Sequence, residues 1–599
     1  VDVNAQIANG LAALRRRDLK RAEASFQQVL LHAPQQAQAL HFMGAVRQLE
    51  GKHGEAEQFF RHATDAAPTD AGAHNSLGSL LSTLGRNKEA LASFDAALKA
   101  DPTLKQARSN RALVLQRLGR HAEALEELQG VTPVTASVLN SRGLSLKECG
   151  RLAEAEKAFG DAVAIQPDHF RARHNLGNLL CTDGRAREAI PHYREAVRLA
   201  PKVADLRFAF ATALYDVGDM AGADQEFRTA IALKPDHTDA HEALNRLYWQ
   251  HGKRDLHGKS YQVALKAAPM SAPLYAAFAR TLEMAGRNTD ALAVVEEGLR
   301  MLAPTPELVH RRARLRMVAG DEQGGLADYA AAIKLAGDGA ATISLDRAKA
   351  LTRLGRYGEA LEDLARAEAA LPYDQELWAY RGLCWRLLGD AREAWLNNYD
   401  AFVQPCLIDV PVGYSNREAF LQELRDVLLA LHDKSAQPID QSLRGGTQTN
   451  GALLNRKEPV IAALRASLSR AVERYIAALP DDPTHPFLSR KSDGFTFSGS
   501  WSVLLRGDGF HVNHVHPKGW ISSAFYVGVP DTTGGTPHAG AIKFGESGAG
   551  LGPDRETVAR RIQPQAGMLV LFPSYMWHGT EAFTGPAIRI TTPFDVLPA

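Results

Sequence analysis

Prolines stand along the first two-thirds of the chain at nearly constant spacing, and that spacing limits the fold more than any other feature. They fall at Pro34, Pro68, Pro102, Pro133, Pro167, Pro201, Pro235, Pro269 and Pro304, at intervals of 34, 34, 31, 34, 34, 34, 34 and 35 residues. Pro372 lies 68 residues further on, two periods with one proline missing near Asp338, and Pro405 follows after 33. Each period repeats one grammar. Asn175-Leu-Gly-Asn-Leu-Leu opens a first helix, Gly184-Arg-Ala-Arg-Glu-Ala189 makes the turn, and Ala189, Tyr193 and Ala196 line one face of a second helix. Leu77, Gly78, Gly85, Ala90, Phe94 and Ala97 repeat it in a neighbouring unit. Small residues let the two helices approach closely. The glycine suits a left-handed helix cap, and the proline stops the second helix. One such hairpin cannot bury its apolar face alone, so the units must stack on one another.

This pattern resembles the tetratricopeptide repeat, over about twelve units. The resemblance implies an all-α superhelical solenoid at residues 1–405, with a concave groove that takes peptide or protein. Asn75, Asn110, Asn140 and Asn175 recur near the middle of first helices. A primary amide both donates and accepts, so these four are candidate contacts to the backbone of an extended peptide. Tolerated polar positions on a solvated face are the alternative. The unit from Tyr248 to Pro269 carries His251-Gly252-Lys253, lacks the usual alanine and reads as irregular.

At 599 residues the chain exceeds a single core. Sixty-nine Lys and Arg against 68 Asp and Glu leave a net charge of +1, which gives no basic excess for nucleic acid. No apolar run is long enough to cross a bilayer, and the segment from Val1 lacks the charged-then-apolar pattern of a secretion signal. The four cysteines, Cys149, Cys181, Cys384 and Cys406, form no C-x-x-C pair. No disulfide framework or Cys-rich zinc site is therefore expected, and the default setting is cytoplasmic.

The repeat fades after Pro405. Residues 406–490 read as a linker followed by supporting helices at 417–432 and 455–479, where Leu421, Leu424, Leu428 and Leu431 hold helical spacing. Between the helices, Gln441 to Gly451 is polar and Gly-rich and predicts no regular element; it reads as part of a cleft or as a packing loop. From 491 to 599 the grammar turns to strands: Phe495 to Leu505, Ile521 to Val529, Ala541 to Phe544, Met568 to Phe572 and Ala587 to Val596. Turns such as Asp531-Thr-Thr-Gly-Gly535 and Arg506-Gly-Asp508 separate or interrupt them.

Five histidines fall in this last stretch: His511, His514, His516, His538 and His578. His514 and His516 are two apart, so on an extended chain both face one side and can reach one ion. His511 has the other parity, and it and His538 read as surface or substrate-side residues. His578 follows the apolar strand Met568 to Phe572, and Arg589 and Thr591 share one face of the last strand region.

His514-Val-His516-Pro517, Ile521-Ser-Ser-Ala-Phe-Tyr-Val527, Gly567 to Ser574, His578 and Arg589 together resemble the iron(II) and 2-oxoglutarate-dependent dioxygenases, in the H-x-H-P branch related to prolyl hydroxylases. The resemblance implies a double-stranded β-helix of jelly-roll type with Fe(II) in its mouth. Its metal ligands would be His514, His516 and His578, and its catalytic set these three with Arg589. Arg589, Thr591 and Tyr526 would bind the distal carboxylate of 2-oxoglutarate; a planar guanidinium suits that task. The family's usual carboxylate ligand is replaced by His516, which leaves the ion's charge uncompensated by protein ligands. A two-His site completed by water is the alternative.

The implied function is a 2-oxoglutarate- and Fe(II)-dependent hydroxylase acting on a peptide or protein held by the repeats. Two other readings stand beside it: a non-catalytic scaffold with a vestigial oxygenase fold, and a small-molecule hydroxylase whose repeats bind a partner protein.

Overall fold

The computed structural model describes residues 2–432, 442–449, 453–530 and 537–599. The chain folds as two compact units, Val1–Val217 and Gly218–Ala599.

The first unit consists of antiparallel helix pairs, such as Ala71–Thr83 with Asn87–Ala100 and Phe170–Thr182 with Ala186–Leu199. Three devices recur at fixed places in the repeat. At the turn, Gly85 takes a left-handed φ of 77°, where a side chain would be strained. At the start of four second helices, from Arg86, Arg120, Arg151 and Arg185, an arginine grips the acid three residues on. Arg86 Nε donates to Glu89 at 2.7 Å, and Arg151 does the same to Glu154 at 2.7 Å. That acid sits in the first helical turn, where the macrodipole favours it. At the period's end, the proline carbonyl accepts from a side chain six residues later: His74 to Pro68, Arg108 to Pro102, Arg173 to Pro167.

Close helix approach depends on the glycine 16 residues before each buried ring. A β-carbon built on Gly78 lies 2.7 Å from the Phe94 ring, and one on Gly177 lies 2.8 Å from Tyr193. Gly78→Ala is therefore expected to destabilise the first unit by about 1–3 kcal/mol, the usual cost of overpacking. A denaturant midpoint unchanged from wild type would remove this account of the glycine.

The second unit begins with further hairpins and keeps the same capping device, with His241 to Pro235 and Trp378 to Pro372. Its irregular hairpin has a second helix of only nine residues, Lys259–Ala267. The cause is local. Asn245 Oδ1 accepts the Gly258 N–H at 2.6 Å, and Gly258 takes a φ of 87°, so the helix starts late.

Eleven strands follow among the described residues: β1 Gln404–Leu407, β2 Leu443–Gln448, β3 Phe495–Ser500, β4 Val503–His511, β5 Ile521–Gly528, β6 Ile542–Phe544, β7 Arg560–Ile562, β8 Met568–Pro573, β9 His578–Thr580, β10 Arg589–Thr591 and β11 Phe594–Pro598. Among the described residues the strands pair antiparallel. The large sheet runs β1-β8-β5-β10-β4-β2, with β11 pairing β3 and β5, and the small sheet runs β7-β6-β9. Phe544 of the small sheet packs edge-on against Phe572 of the large one at 5.0 Å. The helices Arg417–Ala430 and Pro459–Ala478 share this core through Phe420, Leu424, Leu428, Leu464 and Leu468. The expected jelly-roll with supporting helices is the fold observed.

Two expectations need correction. Residues 443–448 of the Gly-rich stretch are strand β2, in register with β4 from Leu443↔His511 to Gln448↔Val503. The register shifts between Arg444 and Gly446, Gly445 takes a φ of 70°, and its β-carbon would lie 3.0 Å from Gly509. The glycines that read as a loop are what a bulged, close-packed pair requires. Gln441, Asn450 and Gly451 lie outside the described residues. Arg506-Gly-Asp508 is likewise not a turn but the bulged middle of β4, with Asp508 at a φ of 66°. The Asp531 to Gly535 turn lies outside the described residues.

The last hairpins and the sheets form one core, in which Leu345, Leu364, Leu377 and Leu383 are buried with Leu569, Phe572 and Trp577. Polar contacts reinforce this seam. The Tyr380 ring meets Trp577 edge-on at 5.4 Å, Arg353 Nε donates to Ala549 O at 3.1 Å, and Gln375 N–H donates to Pro517 O at 3.2 Å.

Candidate metal centre

β4 ends at His511, and the chain continues extended into His514, which forms an isolated bridge with His578 at the start of β9. The bridge is reciprocal. His514 N–H donates to His578 O at 2.9 Å, and His578 N–H donates to His514 O at 3.1 Å. His516 N–H donates to Ser574 O at 3.0 Å. Backbone pairing thus fixes all three histidines before their rings are considered.

The rings converge. One nitrogen of each lies within 4.8 Å of one nitrogen of both others, the one such cluster of His, Cys, Asp and Glu among the described residues. Their other nitrogens are committed. His514 Nδ1 lies 2.9 Å from Val512 O, His578 Nδ1 lies 3.0 Å from Met576 O, and His516 Nδ1 lies 2.6 Å from Asp595 Oδ1. Carbonyl and carboxylate oxygens only accept, so each Nδ1 carries the proton and each Nε2 presents a lone pair. The Nε2 atoms of His514 and His516 face each other at 3.2 Å. Two lone pairs at that distance repel unless a cation lies between them. Burial, then the neighbouring His516, lowers the His514 pKa to about 3; burial and the same neighbours hold His578 well below the ordinary imidazole value. The donor set therefore fits a first-row divalent ion, which takes neutral imidazole.

The second half of the site is cationic. Arg589 on β10 is 2% exposed and donates to Gly540 O at 3.0 Å, while its Nε has no hydrogen-bond partner. No carboxylate ion-pairs with it among the described residues. A buried unpaired guanidinium is costly, and burial lowers its pKa. It asks for an anion. Thr591 lies two residues on, opposite Tyr526 of β5, so Arg589, Thr591 and Tyr526 share one face of the sheet. Tyr526 is buried, which raises its hydroxyl pKa to about 12 against the pull of Arg589, so it stays a donor.

Of the remaining histidines, His538 is exposed on a turn. His511 is half-buried rather than on the surface. Its ring lies 5.9 Å from that of His514, and its Nδ1 is 3.0 Å from Ser442 Oγ. The parity argument kept it out of the trio, and it is not in the cluster. Sequence reasoning missed Asp595, whose signal is faint: one acid in an apolar final strand, 79 residues from its partner.

Comparison with known proteins finds both kinds of segment. A family model described as "Putative 2OG-Fe(II) oxygenase" matches residues 499–595. Tetratricopeptide-repeat models match residues 7–71, 75–133, 134–202 and 180–247. Similar solved structures include a tetratricopeptide-repeat protein from Parabacteroides merdae, 17% identical, covering 40% of this chain and 97% of that one with a TM-score of 0.35. Yeast Tom70 is 16% identical, over 61% of this chain and 91% of its own, with a TM-score of 0.35. A thermophilic repeat protein of Thermus thermophilus is 26% identical, over 30% and 99%, with a TM-score of 0.26. No curated protein matches.

Proposed function

The chain joins tetratricopeptide repeats to a C-terminal 2OG-Fe(II) oxygenase domain, and on that premise we propose that it hydroxylates a peptide or protein captured by its repeats. The observation that carries the reading is the convergence of three imidazole lone pairs whose opposite nitrogens are all occupied. In this reading His514, His516 and His578 hold Fe(II). Arg589, Thr591 and Tyr526 would hold the distal carboxylate of 2-oxoglutarate, for which a planar guanidinium and two hydroxyl donors are suited. Bound iron and cosubstrate supply oxidative decarboxylation coupled to C–H hydroxylation. The chain's own part is to fix the ligands by backbone pairing, to keep the His514 and His578 imidazoles neutral by burial, and to hold the cosubstrate by a cation shielded from water. The functional division is residues 1–405 for capture, 406–490 for support and 491–599 for chemistry.

The test is succinate formation from 2-oxoglutarate by the full chain with Fe(II) and oxygen, with and without peptide. No turnover and no metal affinity would favour the scaffold reading. Turnover indifferent to every peptide would favour a small-molecule substrate.

Capture is assigned to the asparagines of the first unit. They pair across neighbouring repeats: Asn110 Nδ2 donates to Asn75 Oδ1 at 3.1 Å, and Asn175 Nδ2 donates to Asn140 Oδ1 at 2.8 Å. Each pair fixes the orientation of its amides; Asn110 also donates to Ser79 Oγ and accepts from Gln106 Nε2, both at 3.1 Å, so in its pair the Asn75 Nδ2 group is the donor that would address a peptide backbone. Replacing Asn110 and Asn175 by Ala is expected to weaken binding of extended peptides roughly tenfold or more, since each lost hydrogen bond is worth about 1 kcal/mol. Anisotropy with labelled peptides from a random extended library measures it. Equal affinity in the double variant would return these residues to a purely structural role.

A further inference from the structure

The trio of imidazoles poses a charge problem that a second residue answers. Three neutral ligands leave a divalent ion at +2, where a carboxylate ligand would leave it at +1. Asp595 lies one hydrogen bond away. Its Oδ1 accepts from His516 Nδ1 at 2.6 Å and from the Ser522 hydroxyl at 2.7 Å. Ser522 Oγ in turn meets Ser574 Oγ at 2.8 Å, and Ser574 O accepts the His516 N–H. β11 pairs with β5 at Asp595↔Ser522, so the register of the sheet itself sets this acid behind the ligand. Asp595 cannot be a ligand itself, because it stands on the Nδ1 side of the ring while the other rings meet on the Nε2 side. Both side chains are largely withdrawn from solvent, 13% and 16% exposed, so water screens the pair weakly.

We infer that Asp595 is the positioning residue that replaces the missing carboxylate ligand, supplying its negative charge to the metal through His516. Among the described residues, His516 is the one ligand of the three whose Nδ1 meets a carboxylate; the other two rest on backbone carbonyls. It also occupies the very position where the resembling family carries its acid. The charge has moved outward by one ring. A carboxylate on the far nitrogen raises the basicity of a metal-bound imidazole and fixes its tautomer, and loss of such a partner costs about 10–100-fold in metal affinity.

This inference rests on the metal-centre reading, and the experiment separates the two. Mn(II) affinity of the full chain, without cosubstrate, is measured by electron paramagnetic resonance for wild type, Asp595→Asn, and the exchange variant His516→Asp with Asp595→Asn. Asparagine keeps an oxygen to accept from Nδ1 and removes only the charge. Asp595→Asn is expected to bind Mn(II) about 10–100-fold more weakly. The exchange variant, which returns the acid to the ligand position, is expected to recover affinity to within about threefold of wild type, because the charge is what counts. A merely structural Asp595 would not be rescued by a change at another residue. Equal affinity in Asp595→Asn, or no recovery in the exchange variant, overturns the inference. Should Asp595→Asn fail to fold, by circular dichroism, the exchange variant decides alone. Absence of Mn(II) binding by wild type overturns the metal reading itself.

Discussion

His578→Ala is expected to abolish metal binding while leaving the fold largely in place. In the proposed centre the imidazole is one of three donors, and no other His, Cys, Asp or Glu among the described residues is placed to substitute. Loss of a direct ligand should exceed the loss of an outer partner, so affinity for Mn(II) falls on the order of 100-fold or more. The backbone bridge to His514 survives the substitution, since it uses only main-chain atoms. Packing is lost against Phe572, whose ring lies 4.6 Å from that of His578. A modest destabilisation is therefore expected, and the readout must separate it from ligand loss. Saturating Mn(II) at about 100 times its dissociation constant stabilises wild type by about 2.7 kcal/mol, and that increment should vanish in the variant. If Mn(II) raises the melting temperature of His578→Ala as it does that of wild type, His578 is not a ligand.

Arg589→Met is expected to have opposite effects on binding and on stability. The guanidinium is buried, with a carbonyl partner in Gly540 and no acid among the described residues. Two charge-assisted hydrogen bonds to a carboxylate are worth about 1.5–3 kcal/mol each, so their loss should weaken 2-oxoglutarate binding roughly 10²–10⁴-fold. Titration calorimetry of 2-oxoglutarate into the Mn(II)-loaded protein measures this, and Mn(II) affinity without cosubstrate serves as the control that should hold. The ligand-free protein, in contrast, should melt higher, because methionine fills similar volume without an unpaired charge. Cosubstrate affinity equal to wild type would assign the anion elsewhere. A lower melting temperature would mean that the arginine has a stabilising partner.

Much of this molecule was legible in residue order because its signals are local. Proline and glycine punctuation, the alanine positions and the strand-rich final hundred residues each act within a few residues of themselves. His514 and His516 are readable as a pair for the same reason. The misread stretches failed where local chemistry was ambiguous. The glycines at 445 and 446 suit a loop as well as a bulged strand, and only the facing Gly509 distinguishes the two. Asp508 at a positive φ likewise reads as a turn until β2 is seen beside it.

The sequence alone determined the repeat, its hairpin units, the all-β character of the C-terminal region and the candidate ligands. These follow from periodicity and from side-chain type, which are properties of neighbours along the chain. Only the tertiary structure decided how the three histidines are oriented, that Arg589 is buried with no acid beside it among the described residues, and that Asp595 stands behind His516. Each depends on strand register between segments tens of residues apart, with β11 on β5, β10 on β4 and the His514 bridge to His578. A one-residue slip in any of them would turn the side chain to the other face of its sheet.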